Sequence, residues 1–171
     1  MTYINWEDSN IHFQPQTPQP ADHGIPVPFY GNWGGPHWSA GELNGTDTTV
    51  IALSPLDAAF KAHDIAYGTA QGIADIAQAD YTLVSTIGTL NFVDPEDSIY
   101  AGFASLSIIA NIIVSGETAF IDPGLLPNLQ TFAIDAVADL ETGLAAAPQE
   151  GRSLHGALHV FEAQYLPDLI L

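Results

Sequence analysis

Between Ser54 and Leu90 the chain reads SPLDAAFKAHDIAYGTAQGIADIAQADYTLVSTIGTL, two runs of helical spacing parted at Gly68 to Gly72. Ser54 can cap the first run, Pro55 suits a first turn and Asp57 sits where an acid favours the helix dipole, which predicts a helix over about 55–70. After Gly72, the residues Ile73, Ile76, Ala77, Asp80, Leu83, Val84 and Ile87 fall on one stripe, which predicts a second helix. So short a break makes the two helices antiparallel neighbours.

The segments on either side complete the outline. Prolines 15, 18, 20, 26 and 28 rule out regular helix before Tyr30, so residues 1–29 read as an extended Pro-rich arm. Glycine dominates Tyr30 to Val50, where YGNWGGP opens a structured loop and no strand pattern is convincing. Beyond NFVDPED three more helices are expected, at about 96–115, at 123–147 begun by Asp122 and Pro123, and at 152–166. The expected fold is all-α: two antiparallel core helices preceded by a glycine-rich loop, within a core of 30–90, and packed with a helical C-terminal extension of 91–171.

Charge narrows the partners. Twenty acidic residues against two basic ones give a formal net charge of −18, which repels nucleic acid phosphates and attracts cations. With no cysteine, neither a disulfide framework nor a thiolate metal site is available. The N-terminal stretch MTYINWEDSNIHFQ lacks the basic and apolar regions of a cleavable signal peptide, so export would need another route. Ser98 to Gly116 carries no charge and nears the length of a membrane span, but its serines, Asn111 and acidic flanks Asp97 and Glu117 favour a buried core helix.

His63 and Asp64 stand side by side in the first helix. Residues four apart share a helix face, so His63 and Tyr67 point one way while Asp64 is turned by about 100°. Among apolar neighbours Ala58, Ala59, Phe60, Ala62, Ile65 and Ala66, an unpartnered histidine or aspartate would be costly. An antiparallel second helix can return Asp80 to His63, where a carboxylate on one ring nitrogen leaves the other free to take a proton from water. Asp75 competes for that role, but Asp80 lies on the apolar stripe. For Asp64 the partner can be calcium, which takes 6 to 8 oxygens, the glycine loop supplying carbonyls.

YGNWGGP, PLDAAFKAHDIAYG and the downstream Ala79-Asp80, in that order, resemble the phospholipase A2 superfamily, and its cysteine-free branch of parvovirus-capsid type most closely, over about residues 28–90. The resemblance implies a calcium-dependent hydrolase of the phospholipid sn-2 ester. It implies His63 as the general base, Asp64 with the carbonyls of Tyr30, Asn32 and Gly34 as calcium ligands, and an oxyanion hole near Gly34. Asp80 would orient His63 and Tyr67 would hydrogen-bond Asp80. A phospholipid interface would be the partner, with self-association left open, and the setting that of a secreted protein or one delivered by a virion or secretion system. Asn32 stands where the family usually has glycine, and residues 91–171 match nothing recognised. Both favour the rival reading of a catalytically weak or inactive calcium- or lipid-binding or assembly module.

Three aromatic or histidine groups lie outside this set. Trp33 is the expected lipid-touching aromatic, with His37 and Trp38 at the substrate edge. His155 and His159 are one turn apart and read as helix-face residues rather than metal ligands.

Overall fold

The computed structural model describes residues 4–5 and 29–147; most of the expected arm, the helix expected at 152–166, and His155 and His159 lie outside these residues. The described chain is mostly helical. Its elements are α1 (Pro55–Thr69), α2 (Ile73–Ile87), α3 (Pro95–Val114) and α4 (Leu126–Ala146), with a 3-10 turn at Glu117–Phe120 before α4.

Local chemistry explains most helix ends. The Ser54 side chain accepts from the Asp57 amide, and Pro55 follows it; Asp94 accepts from the Glu96 amide, and Pro95 follows in the same way. Both are side-chain caps with proline in the first turn. α2 stops at Ile87 instead of running toward Leu90, with Gly88 as its cap. α4 begins three residues later than expected, because Asp122 makes a turn of its own: its carboxylate accepts from the Gly124 amide and its carbonyl from the Leu125 amide, both at 2.8 Å. A side chain that bonds its own backbone competes with the helix, and Pro127, not Pro123, sits in the first turn of α4.

The expectation of no strand is corrected on a small scale. Ile4–Asn5 (β1) pairs antiparallel with Phe29–Tyr30 (β2), and Trp38–Ser39 (β3) with Glu42–Leu43 (β4). Strands of two residues are too short to show alternation. The β3–β4 turn is Ala40-Gly41, both at positive φ, the backbone of a tight hairpin without the usual Asn-Gly signature.

Three apolar clusters organise the described helices, two of them around α2 and a third joining Ile99 of α3 to Leu140 of α4 and Ala147. In the first, Tyr30 and Trp33 of the loop meet Leu56, Ala59 and Phe60 of α1, Leu83 and Ile87 of α2, and Tyr100 and Ala101 of α3. In the second, Ala77, Tyr81 and Val84 of α2 meet Ile109 and Ile112 of α3, Ile121, and Leu129 of α4. The expected burial of Ala58, Ala62 and Ile65 is corrected: all three are exposed, since α1 buries one stripe, mainly in its first two turns. By length and composition α3 could cross a membrane, and half of its most apolar stretch is buried inside the protein.

α3 and α4 pack at close range where side chains are missing. A Cβ on Gly102 would lie 2.4 Å from the Ala136 carbonyl oxygen, and one on Gly143 would lie 2.6 Å from both Ile99 and the Pro95 carbonyl oxygen. Gly102→Ala is therefore expected to destabilise the protein by about 1–3 kcal/mol, although alanine alone favours a helix by up to about 1 kcal/mol. Urea unfolding of the variant checks this; unchanged or raised stability would show that the two helices can part without loss.

Candidate functional site

The site is assembled from α1, α2 and the glycine loop, and its frame is a residue whose importance is not visible in local sequence. Asp57 is fully buried at the start of α1. Its carboxylate accepts from the backbone amides of Trp33 and Leu53 at 2.8 Å and of Asn32 at 3.1 Å. Burial nevertheless pushes its carboxyl above the usual carboxylate range, against the downward pull of those amides. The loop lies so tightly on this carboxylate that a Cβ at Gly31, whose φ is +57°, would come within 2.5 Å of it. Only glycine meets both conditions.

The loop itself closes on the bridge between Tyr30 and Gly34. Tyr30 donates its amide to the Gly34 carbonyl at 2.7 Å, and Gly34 returns its amide to the Tyr30 carbonyl at 2.8 Å. The Asn32 carbonyl accepts from the Gly41 amide at 2.8 Å, and the Asn32 side chain donates to the Ile51 carbonyl at 2.9 Å. Tyr30 then reaches inward: its ring stacks on Tyr100 with centroids 5.0 Å apart, and its hydroxyl meets Ser54 and Asp97.

The expectation that Trp33 touches lipid is overturned. Trp33 is 2% exposed, drawn inward by the Asp57 bond to its amide, and Lys61 lies 5.1 Å from its ring centroid. Trp38 is half-buried, stacked on Phe29, and donates its indole N–H to the Gly31 carbonyl at 3.1 Å. His37 is exposed.

One helical turn beyond Phe60, His63 turns toward α2. Its Nε2 lies 2.7 Å from Oδ1 of Asp80, which is fully buried. Tyr67 donates its hydroxyl to the other oxygen of Asp80 at 3.3 Å, and Asn111 of α3 donates its amide there at 3.1 Å. Asp75, the competing candidate, accepts from the Gln71 amide at 2.7 Å and so fastens the link between α1 and α2. The other ring nitrogen, Nδ1, lies 3.6 Å from Asp64. Asp64 in turn accepts from the Ser39 hydroxyl of β3.

Electrostatics follow from these contacts. Burial opposes a charge on His63, yet Asp64 and Asp80 outweigh it and push the imidazole up to about 9. At neutral pH these two neighbours favour the protonated imidazole. Burial and the Asp80 charge push the Tyr67 phenol above its ordinary value, so it remains a donor. His63 also forms part of the wall of a cleft of about 460 Å³ between α1 and α2, lined with Ala59, Ala62, Ala66, Ala79 and Leu83 and rimmed by Thr69, Asp75 and Gln78.

The oxygens of Asp64, Tyr30, Asn32 and Gly34 are of the hard type that calcium takes. Each of the three carbonyls accepts a backbone amide within the loop or its hairpin, and a carbonyl oxygen has two lone pairs. Among the described residues no three His, Asp or Glu side chains converge as a metal site, so a cation here would depend on those carbonyls and on release of Asp64 by Ser39. Sequence reasoning missed Asp57, Asn111 and Glu117. No family model, curated protein or solved structure matches the chain.

Proposed function

We propose that this protein is a calcium-dependent, phospholipase A2-like esterase that hydrolyses the sn-2 ester of phospholipids. The observation that carries the reading is the buried Asp80 held at 2.7 Å from Nε2 of His63, with Tyr67 on the same carboxylate and the cleft alongside. Asp80 accepts the Nε2 proton and so fixes the tautomer in which Nδ1 carries the lone pair. Neutral His63 takes a proton at Nδ1 from a water, whose oxygen attacks the ester carbonyl. As the carbonyl re-forms, the bond to the glycerol oxygen breaks, and His63 returns the proton to that oxygen, giving a fatty acid and a lysophospholipid.

Tyr30, Asn32, Gly34 and Asp64 are the residues that would hold calcium, which when bound supplies Lewis-acid polarisation of the ester carbonyl and a counter-charge for the phosphate. An oxyanion donor from the loop near Gly34 requires that its amide let go of Tyr30. Fatty-acid release from mixed phospholipid vesicles, with calcium or with chelator, tests the reading. The net charge of −18 makes zwitterionic vesicles the better substrate; faster release from anionic vesicles at low salt would contradict that preference.

A second reading has an observation of its own. With all three loop carbonyls bonded to amides and Ser39 on Asp64, the same residues suit a catalytically weak or inactive lipid-binding or assembly module. Such a module would bind vesicles without releasing fatty acid.

A further inference from the structure

Behind the His63–Asp80 pair lies a carboxyl group that the proposed chemistry does not use. Glu117, in the 3-10 turn, is 2% exposed. Its Oε1 accepts from Ser115 Oγ at 2.7 Å and from Asn111 Nδ2 at 3.2 Å. Its Oε2 is buried with no hydrogen-bond partner. The same Asn111 nitrogen donates to Asp80, so one amide ties two buried carboxyl groups together.

The groups facing Glu117 leave little to neutralise a second charge. From α2 comes Asp80, from α1 His63 and Tyr67, and from α3 the uncharged Asn111 and Ser115. Lys61, the one lysine or arginine among the described residues, donates instead to the Val50 carbonyl at 2.7 Å. A buried carboxylate oxygen without a donor or cation is costly, and two carboxylates sharing a site cannot both ionise freely.

We propose that Glu117 is a positioning residue that carries its own O–H and donates it to the Asp80 carboxylate. The proton belongs to the pair, and no bond to substrate is involved. Burial and the neighbouring Asp80 push the Glu117 carboxyl above its ordinary value, against the pull of the Ser115 bond and of His63, in keeping with this geometry. Asp80 then faces His63 as a single carboxylate held by Tyr67, Asn111 and Glu117, rather than as one of two repelling anions. That His63 is thereby held for catalysis rests on the esterase reading; the protonation of Glu117 does not.

Carbon-13 NMR of the full chain labelled at the glutamate carboxyl carbon reads the proton directly, the missing resonance in Glu117→Gln giving the assignment. The expected result at pH 7 is a Glu117 resonance at the neutral-acid position; a carboxylate position overturns the proposal. In the vesicle assay Glu117→Gln, which keeps a donor toward Asp80, is expected to retain kcat within about twofold and the same pH profile, while Glu117→Leu loses on the order of tenfold in kcat. A Gln variant that loses as much as the Leu variant, or whose pH profile moves, also overturns it. If wild type releases no fatty acid, the esterase reading falls and the NMR measurement still decides where the proton is.

Discussion

His63→Ala is expected to abolish calcium-dependent fatty-acid release, lowering kcat by on the order of 10² to 10⁴, the usual contribution of a positioned general base. Chelator is expected to abolish release by wild type as well. Activity that survives either treatment sinks the proposed chemistry. Because Asp64 and Asp80 push His63 up to about 9, the neutral base is a minor form at pH 7, and the rate is expected to climb with pH toward that value. If a cation engages Asp64 as proposed, one of the two charges that raise His63 is neutralised, and the midpoint is expected to fall as calcium is added.

The same shift has a sign for folding. A histidine whose folded value lies above its unfolded value of about 6.5 adds stability that is full below the unfolded value and lost as pH rises through the folded one. His63→Ala should therefore cost more stability at pH 6 than at pH 10, a difference that urea unfolding at the two pH values measures.

Asp57→Ala is expected to destabilise the protein by about 2–5 kcal/mol. It strips the amides of Asn32, Trp33 and Leu53 of their shared acceptor; an unpaired amide costs about 1–3 kcal/mol where it is buried, as at Trp33, and less at the part-buried other two. For a chain of this size that lowers the melting temperature by roughly 10 °C, which circular dichroism follows. A loss under about 1 kcal/mol would mean that Tyr30 and Trp33 hold the loop through their own packing. Asp57→Asn keeps one acceptor oxygen and should fall between the two, which separates the lost bonds from the lost charge.

How much of this was legible depended on distance along the chain. Ser54, Pro55 and the stripe from Ala77 to Ile87 signal α1 and α2 because caps and periodicity are local. The approach of Asp80 to His63 was legible because a short link leaves two helices few ways to pack, whereas the bond from Tyr67 to Asp80 was implied only by the resemblance. Asp57 was read only as an acid in a first turn: its true partners lie up to 25 residues away, and nothing in the helix pattern marks them. Asn111 and Glu117 were hidden for the same reason, since they reach Asp80 from α3 and the 3-10 turn. The start of α4 escaped because Asp122 and Pro123 have the chemistry of a helix start and of a turn alike. Trp33 was misread because amphipathic aromatics suit a lipid edge, whereas an amide bonded to a buried carboxylate draws the residue inward.

Tyr30 shows what this means for moving the motif elsewhere. Its backbone closes the loop on Gly34, its ring rests on Tyr100, and its hydroxyl meets Ser54 and Asp97. A graft of residues 30–90 onto another scaffold would carry the signature and leave behind Asp97 and Tyr100, its two anchors on α3. The transplant would keep the letters of the site and lose its keystone's seat. A host would have to offer an acidic acceptor and an aromatic face of its own before the loop could hold its shape.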